Sequence, residues 1–323
     1  MNHTKKVFPV RSFKASEIKD ALDLIDIDYK CKNLMPNVRY EFASIKCIKK
    51  PNLGFYFSVN GYAASKKIEN SLILTNSECD ASGENSLLIV DDPQLIYYKL
   101  MRFFFENKKE SFIHPTAIIS PNAYIGENVY IGPNCIIEDC IINDNVHLHS
   151  SINIMAGTTI GSNVYVDSGV NIGITSVAWA WDAKNKTRVI QPQIGYTSIG
   201  NNCFIGASCS IAKGSINETT TIGSNVVIAQ GVRIAHGCII GDDCHFGNNV
   251  SLSGNVTIGK KSFIGSGCAI RSMVSIANKN IIGVGAVVVK DTTDENMMII
   301  GVPAKAKPIS KDRLSGVPDV SKM

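Results

Sequence analysis

Residues 222–288 read IGSNVV IAQGVR IAHGCI IGDDCH FGNNVS LSGNVT IGKKSF IGSGCA IRSMVS IANKNI IGVGAV V. An aliphatic residue or Phe recurs at every sixth position: Ile222, Ile228, Ile234, Ile240, Phe246, Leu252, Ile258, Ile264, Ile270, Ile276, Ile282 and Val288. A period of six fits neither the 3.6 of a helix nor the 2.0 of a simple strand, which points to a repeat architecture. A small residue at the fifth place, with Asn, Asp, Gly and Ser between, is what a triangular β-coil requires. Each short strand sends one aliphatic side chain inward and then turns by about 120° at a polar corner. Three hexads give an 18-residue coil, and coils stack at the ~4.8 Å spacing of paired strands.

The same period runs upstream through Ile113, Ile119, Ile125, Ile131 and Ile137. One five-residue step leads to Ile142, and Leu148, Ile154, Ile160, Val166 and Ile172 follow in register. The repeat therefore spans residues 113–290, with two excursions. The first, at 173–198, carries Trp179, Trp181, Asp182, Lys184 and Gln191-Pro192-Gln193 before Ile199, Ile205 and Ile211 resume the period. The second, at 212–221, bulges around Asn217 and Glu218. A long loop on a regular scaffold is more often functional than accidental.

Residues 1–105 lack the hexad and mix helical patterns at 16–24 and 93–105 with strand-like pieces at 55–59, 71–75 and 86–90. They read as a small α/β domain, joined to the repeat by a polar linker at 106–112. Within it, Phe55-Tyr56-Phe57-Ser58-Val59-Asn60-Gly61-Tyr62 crowds four aromatics around a turn. These either pack into the core or form a platform for a flat ring, with Asn60 supplying hydrogen bonds. Residues 291–323 read as a C-terminal tail with little apolar content after a Met-rich run.

Composition narrows the function classes. The net charge is +4 with 19% charged residues and no dense basic run, so nucleic-acid binding has no compositional support. No segment approaches a membrane span and no signal peptide opens the chain, so a cytoplasmic protein is expected. Of ten cysteines, Cys135, Cys203, Cys209, Cys238, Cys244 and Cys268 fall four residues after a repeat aliphatic. That position is a small inward slot, so they read as buried hydrophobes of a reducing compartment, and no bound metal is expected.

His236 breaks the blandness of the repeat. Two places after inward Ile234, it falls at a corner facing outward, and stacking by 18 aligns it with Gly254, Ser272 and Lys290. A corner imidazole can take a proton near neutral pH, and a glycine one coil above lets a thioester carbonyl approach a backbone N–H. Spacing alone leaves open a solvent-exposed or interface histidine. His147 and His149 flank inward Leu148 and read as surface or interface residues.

Hexads such as Ile-Gly-Ser-Asn-Val-Val and Ile-Gly-Asp-Asp-Cys-His resemble those of the bacterial hexapeptide-repeat transferases over residues 113–288. The resemblance implies a mainly β protein, a left-handed parallel β-helix with a small N-terminal α/β domain, active as a homotrimer. Within that superfamily the chain looks most like the UDP-3-O-acylglucosamine N-acyltransferases of lipid A synthesis. Val59-Asn60, Gln191-Pro192-Gln193-Ile194-Gly195 and Arg233-Ile234-Ala235-His236 carry the likeness. It implies His236 as general base, Gly254 as oxyanion amide, Phe57 and Tyr62 sandwiching uracil in a nucleotide site, and Asn60 and Gln193 as further substrate contacts.

The departures bear on the donor. The family's second histidine aligns near Ser272 and Met273 and is absent, and the helices that engage acyl carrier protein have no counterpart. Gly301-Val302-Pro303-Ala304-Lys305 instead resembles the ending of sugar acetyltransferases, whose CoA contacts map to Ser266, Val284 and Lys290. The expectation is therefore acetyl transfer from acetyl-CoA to a nucleotide-linked amino sugar in surface polysaccharide (lipopolysaccharide or O-antigen) synthesis. Rivals are an acyl carrier protein donor, a lyase of the γ-carbonic anhydrase kind, and a non-catalytic scaffold. Glu218 and Asp243 both compete to orient His236.

Overall fold

The computed structural model describes residues 12–43, 54–57, 70–76, 85–105 and 111–308. The chain divides into two compact units, Met1–Lys108 and Lys109–Met323.

In the first unit, β1 (Ser12–Lys14), β2 (Lys30–Lys32), β3 (Arg39–Phe42), β4 (Gly54–Phe57), β5 (Leu72–Thr75) and β6 (Ser86–Ile89) form one sheet in the order β1-β3-β4-β5-β6-β2. Strands β3 to β6 are parallel, and β1 and β2 close the two edges antiparallel. Helices α1 (Ala15–Leu24) and α2 (Pro93–Phe105) bury Ile18, Leu22, Ile96 and Leu100 against Phe55, Leu72, Leu74 and Leu88. Strand alternation sends Tyr56, Ile73 and Leu87 to the other face. Phe55 and Tyr56 are thus core side chains, so two of the four clustered aromatics are not available as a platform.

The second unit is a coil of short strands whose parallel partners lie one turn away. Three sheets result, starting at Phe112–Ile113, Ile118–Ile119 and Tyr124–Ile125. The hexad explains the geometry residue by residue. Ile131 stacks on Leu148, Val166, Ile205, Ile228, Phe246, Ile264 and Ile282 in one continuous inward column. The fifth-place residues fill the space between columns, and all six cysteines named above are buried there as free thiols. Burial pushes the Cys238 thiol up to about 11 and that of Cys244 to about 12.

Between these inward positions the chain turns through a residue in the left-handed region, three places after the aliphatic. Asn134, Asn145, Asn163, Asn225 and Asn249 hold φ of 57–59° there, because Asn tolerates that conformation at small cost. Three edges follow: the first after the first sheet, the second after the second, the third after the third.

Both excursions leave from the second edge. The first lies between strands Asn171–Ile174 and Tyr196–Ile199 and forms a hairpin, Trp179–Asp182 against Thr187–Ile190. The second lies between Ser210–Ala212 and Thr219–Ile222. Their roots are narrower than the register count suggests, since the flanking strands extend beyond the regular hexads. Beyond Lys290, where the sequence reads as a tail, Met297–Gly301 pairs in parallel with Ile281–Ile282 and adds Ile299 to the inward column. The chain then turns back as Ala304–Pro308. Asn280, buried at a fifth-place slot, anchors this end: its Oδ1 accepts from Met297 N at 2.7 Å and its Nδ2 donates to Asp294 O at 3.0 Å.

Candidate active site

The corner after strand Arg233–Ile234 presents His236 from the second edge. Its side chain is 20% exposed, so it is neither a core histidine nor a free surface one. The rung above is Gly254, and the reason for glycine is geometric. A Cβ built there would lie 2.5 Å from His236 Nε2 and 2.8 Å from Cε1. The imidazole edge therefore packs directly against the Gly254 backbone, where any side chain would displace it. Asn255 N donates to His236 O at 2.9 Å and Met273 N to Gly254 O at 3.0 Å, which ties the three rungs together. The Gly254 N–H donates to no acceptor among the described residues.

The two excursions meet beneath this corner. Ile194 N and Gly195 N, on the return limb of the first, donate to Ser215 O at 2.9 Å and Gly214 O at 3.1 Å in the second. Side chains reinforce the join: Gln193 Nε2 donates to Ser215 Oγ at 3.4 Å, and Ser215 Oγ donates to Gln191 Oε1 at 3.1 Å. Ser215 N donates to Glu218 Oε2 at 3.1 Å, and that oxygen stands 4.0 Å from His236 Nδ1. Asp243, the other candidate to orient the imidazole, sits on the third edge and accepts from Asn225 Nδ2 at 3.1 Å.

Four side-chain atoms among the described residues are buried without a hydrogen-bond partner: Thr158 Oγ1, Gln193 Oε1, Thr197 Oγ1 and His236 Nδ1. His236 and Gln193 lie on the second edge and its first excursion, and Thr158 and Thr197 lie in the third-sheet strands that follow that edge. Thr158 pairs with Thr197, and Thr197 with Thr220, whose Oγ1 accepts from Gly237 N at 2.9 Å.

The other sequence-derived positions distribute unevenly. Lys290 is exposed on the second edge, two rungs beyond Gly254. Ser266 and Val284 stand on the first edge, where Ser266 Oγ accepts from Asn248 N at 3.1 Å and Val284 is 80% exposed. Within one chain they do not share an edge with His236. The sequence carried that signal, because 266 and 284 differ from 236 by 30 and 48, which are not multiples of 18. Gln193 is buried at the root of the first excursion. Phe57 ends β4, and its side chain lies outside the described residues, as do Asn60 and Tyr62. A cleft of about 410 Å³ opens at the carboxyl ends of β5 and β6, with Tyr29, Lys30, Asn76, Val90 and Asp91 among its lining residues. The Ser215, Gln191 and Thr220 contacts are not legible in the repeat, which shows where a loop leaves but not what it touches.

Away from this corner, the His147 ring is stacked between Tyr130 and Tyr165 at centroid distances of 4.4 and 5.0 Å. His149 Nδ1 lies 2.7 Å from Ser168 Oγ. Burial lowers the His245 imidazole below its ordinary range. Among the described residues no helix is long and apolar enough to cross a membrane.

Known proteins give the geometry a family. Residues 109–139 and 219–254 match the family described as bacterial transferase hexapeptide (six repeats). Residues 196–236 and 237–272 match the hexapeptide repeat of succinyl-transferase. The UDP-3-O-acylglucosamine N-acyltransferase of Hydrogenovibrio crunogenus is 30% identical over 82 residues, which span 25% of this chain and 23% of that protein. The solved LpxA of Acinetobacter baumannii is 34% identical, with a TM-score of 0.54 over 60% of this chain and 73% of its own. The LpxA of Bacteroides fragilis, a UDP-N-acetylglucosamine acyltransferase, is 27% identical, with a TM-score of 0.55 over 61% of this chain and 74% of its own. The coil is the left-handed parallel β-helix shared by these proteins, and the chain belongs to the hexapeptide-repeat acyltransferases.

Proposed function

We propose that the protein transfers an acetyl group from acetyl-CoA to the amine of a nucleotide-linked amino sugar in bacterial surface polysaccharide synthesis. The observation that carries the reading is the packing of His236 Nε2 against Gly254 on the edge from which both excursions leave. In this mechanism the sugar amine attacks the thioester carbonyl carbon while His236 takes the amine proton. The Gly254 N–H stabilises the tetrahedral oxyanion. Collapse breaks the C–S bond, the imidazolium returns the proton to the leaving thiolate, and an amide and free thiol result.

Ser266 and Val284, on the first edge, reach such a site only from another copy of the chain. This reading puts the reaction cleft between two subunits of a homotrimer, the second edge of one facing the first edge of the next. Closed symmetry is the norm for such assemblies. Lys290 supplies positive charge along the donor's path on the second edge. The nucleotide is given to the first unit, where the carboxyl ends of parallel strands form the usual ligand crevice and β4 ends in Phe57.

An acyl carrier protein donor is the second reading, favoured by relatives named as acyl rather than acetyl transferases. Thiol release from acetyl-CoA and from acyl carrier protein thioesters, each with UDP-, dTDP- and GDP-linked amino sugars, separates the two. Replacing His236→Ala should lower turnover on the order of 10²- to 10⁴-fold with the fold intact. Near-normal turnover in that variant would sink the assignment.

A further inference from the structure

We infer that Glu218 is a positioning residue for His236, holding the imidazole in the tautomer that leaves Nε2 free to take a proton. The inference rests on His236 acting as the base. Three observations converge on it. His236 Nδ1 is buried and has no hydrogen-bond partner, although a buried ring nitrogen normally has one. Glu218 Oε2 is 4.0 Å away, within ion-pair reach and longer than a hydrogen bond. That oxygen is not adrift, because Ser215 N donates to it at 3.1 Å.

Catalytic hydrogen bonds in ligand-free sites are often long and tighten only in the reacting complex. A small rotation of either side chain brings Nδ1–H onto the carboxylate. The two ring nitrogens then have separate tasks. Nδ1 donates to Glu218, and Nε2, on the Gly254 side, faces the reacting amine. When Nε2 takes the amine proton, the carboxylate offsets the charge of the imidazolium, and the proton passes on from Nε2 to the leaving thiolate. Glu218 touches neither substrate in this scheme. The sequence alone left Asp243 as an equal choice, and the structure removes it to another edge, where Asn225 engages it.

The carboxylate is delivered by the second excursion and steadied by the first, through the hydrogen bonds of Ser215 with Gln191 and Gln193. This accounts for a bulge that the coil itself does not need. A plain hexad in its place would keep every inward column and lose the carboxylate together with the Ser215 contacts that steady it.

The test uses the full chain with 15N-labelled histidine, the His236 signals being identified by their loss in His236→Asn. The expected result is a neutral imidazole protonated at Nδ1 in the unsubstituted protein and a shift toward the Nε2–H tautomer in Glu218→Leu. In the thiol-release assay kcat should fall in both Glu218→Leu and the isosteric Glu218→Gln, by up to about 10⁴-fold, since an amide does not hold the imidazole in the required tautomer. KM for both substrates should stay within about threefold, since an orienting group acts on the chemical step. An Nε2–H tautomer in the unsubstituted protein, or an unchanged tautomer in Glu218→Leu whatever its kcat, overturns the inference. The tautomer is read without turnover, so failure of this step stays distinct from failure of the base assignment, which His236→Ala tests alone.

Discussion

The second and third edges of the coil are built from the same hexads and differ in what happens to the backbone N–H two places after each inward aliphatic. On the third edge a side chain one rung above caps it at most rungs. Glu127 N donates to Asp144 Oδ1 at 2.8 Å, Ser224 N to Asp242 Oδ1 at 2.9 Å and Lys260 N to Asn278 Oδ1 at 2.9 Å. On the second edge the matching N–H of Gly254 is uncapped, and the four unpartnered buried side-chain atoms among the described residues lie on that edge, in its first excursion or in the strands that leave it. The third edge thus satisfies most of these N–H groups internally. The second keeps unpartnered donors and acceptors around His236, as the site proposed above requires.

Paired glycine substitutions probe this contrast most directly. Gly254→Ala puts a methyl group 2.5 Å from His236 Nε2 and crowds the oxyanion position. Turnover should fall by about 10²- to 10⁴-fold, because the methyl displaces the general base, while the melting temperature moves little, because an imidazole can swing outward. Gly241→Ala, on the third edge, meets Lys260 N at 2.6 Å, a backbone atom that cannot swing away. It should cost about 1–3 kcal/mol of stability through overpacking and leave kcat per folded molecule unchanged. Equal effects of the two variants on both kcat and thermal unfolding would erase the distinction between the edges.

A sequence period encodes position along a regular coil, and that sets what is legible in advance. Counting by six places Ile228 and Phe246 inward, Cys238 and Cys244 between columns, and His236 and Gly254 on one edge, because each depends only on spacing. Counting by 18 also assigns Ser266 and Val284 to a different edge. What spacing cannot encode is contact between segments that have left the coil. Whether Glu218 or Asp243 faces His236, and that Gln193 reaches Ser215, depends on how two irregular loops fold on each other. The final hairpin is hidden for a related reason. Ile299 joins the inward column 17 residues after Ile282 rather than 18, and its strand is anchored by Asn280, a polar residue in a slot that the hexad elsewhere fills mainly with Val, Ala or Cys.

The third edge should also answer to acid. Lys260 Nζ lies 2.8 Å from Asp242 Oδ2, and this hydrogen bond, with that from Ser224 N, holds the Asp242 carboxyl below its ordinary range. A carboxyl lowered in the folded state contributes stability that is present above its unfolded value and is lost as the pH falls through the folded one. Stability of the unsubstituted protein should therefore decline below about pH 4. Asp242→Asn should be modestly less stable at pH 7, show a shallower decline in acid, and keep its turnover. Denaturant titrations at pH 7 and at pH 3 check this, and identical pH slopes for the two proteins would remove Asp242 from the ladder's energetics.

The smallest effect expected lies one rung above Gly254. Met273 occupies the left-handed corner position with φ of +65° and is 76% exposed, where most other corners hold Asn or Gly. A side chain of this kind in that region costs about 1–2 kcal/mol, and Asn relieves part of the strain. Met273→Asn should thus stabilise the protein by about 0.5–1 kcal/mol, read as a rise in denaturant midpoint. If Met273 were merely a poor corner residue, as one on the third edge would be, turnover would not change. A stabilised variant with reduced turnover would instead show that strain on the second edge is kept for the site, since backbone strain persists where function requires the side chain.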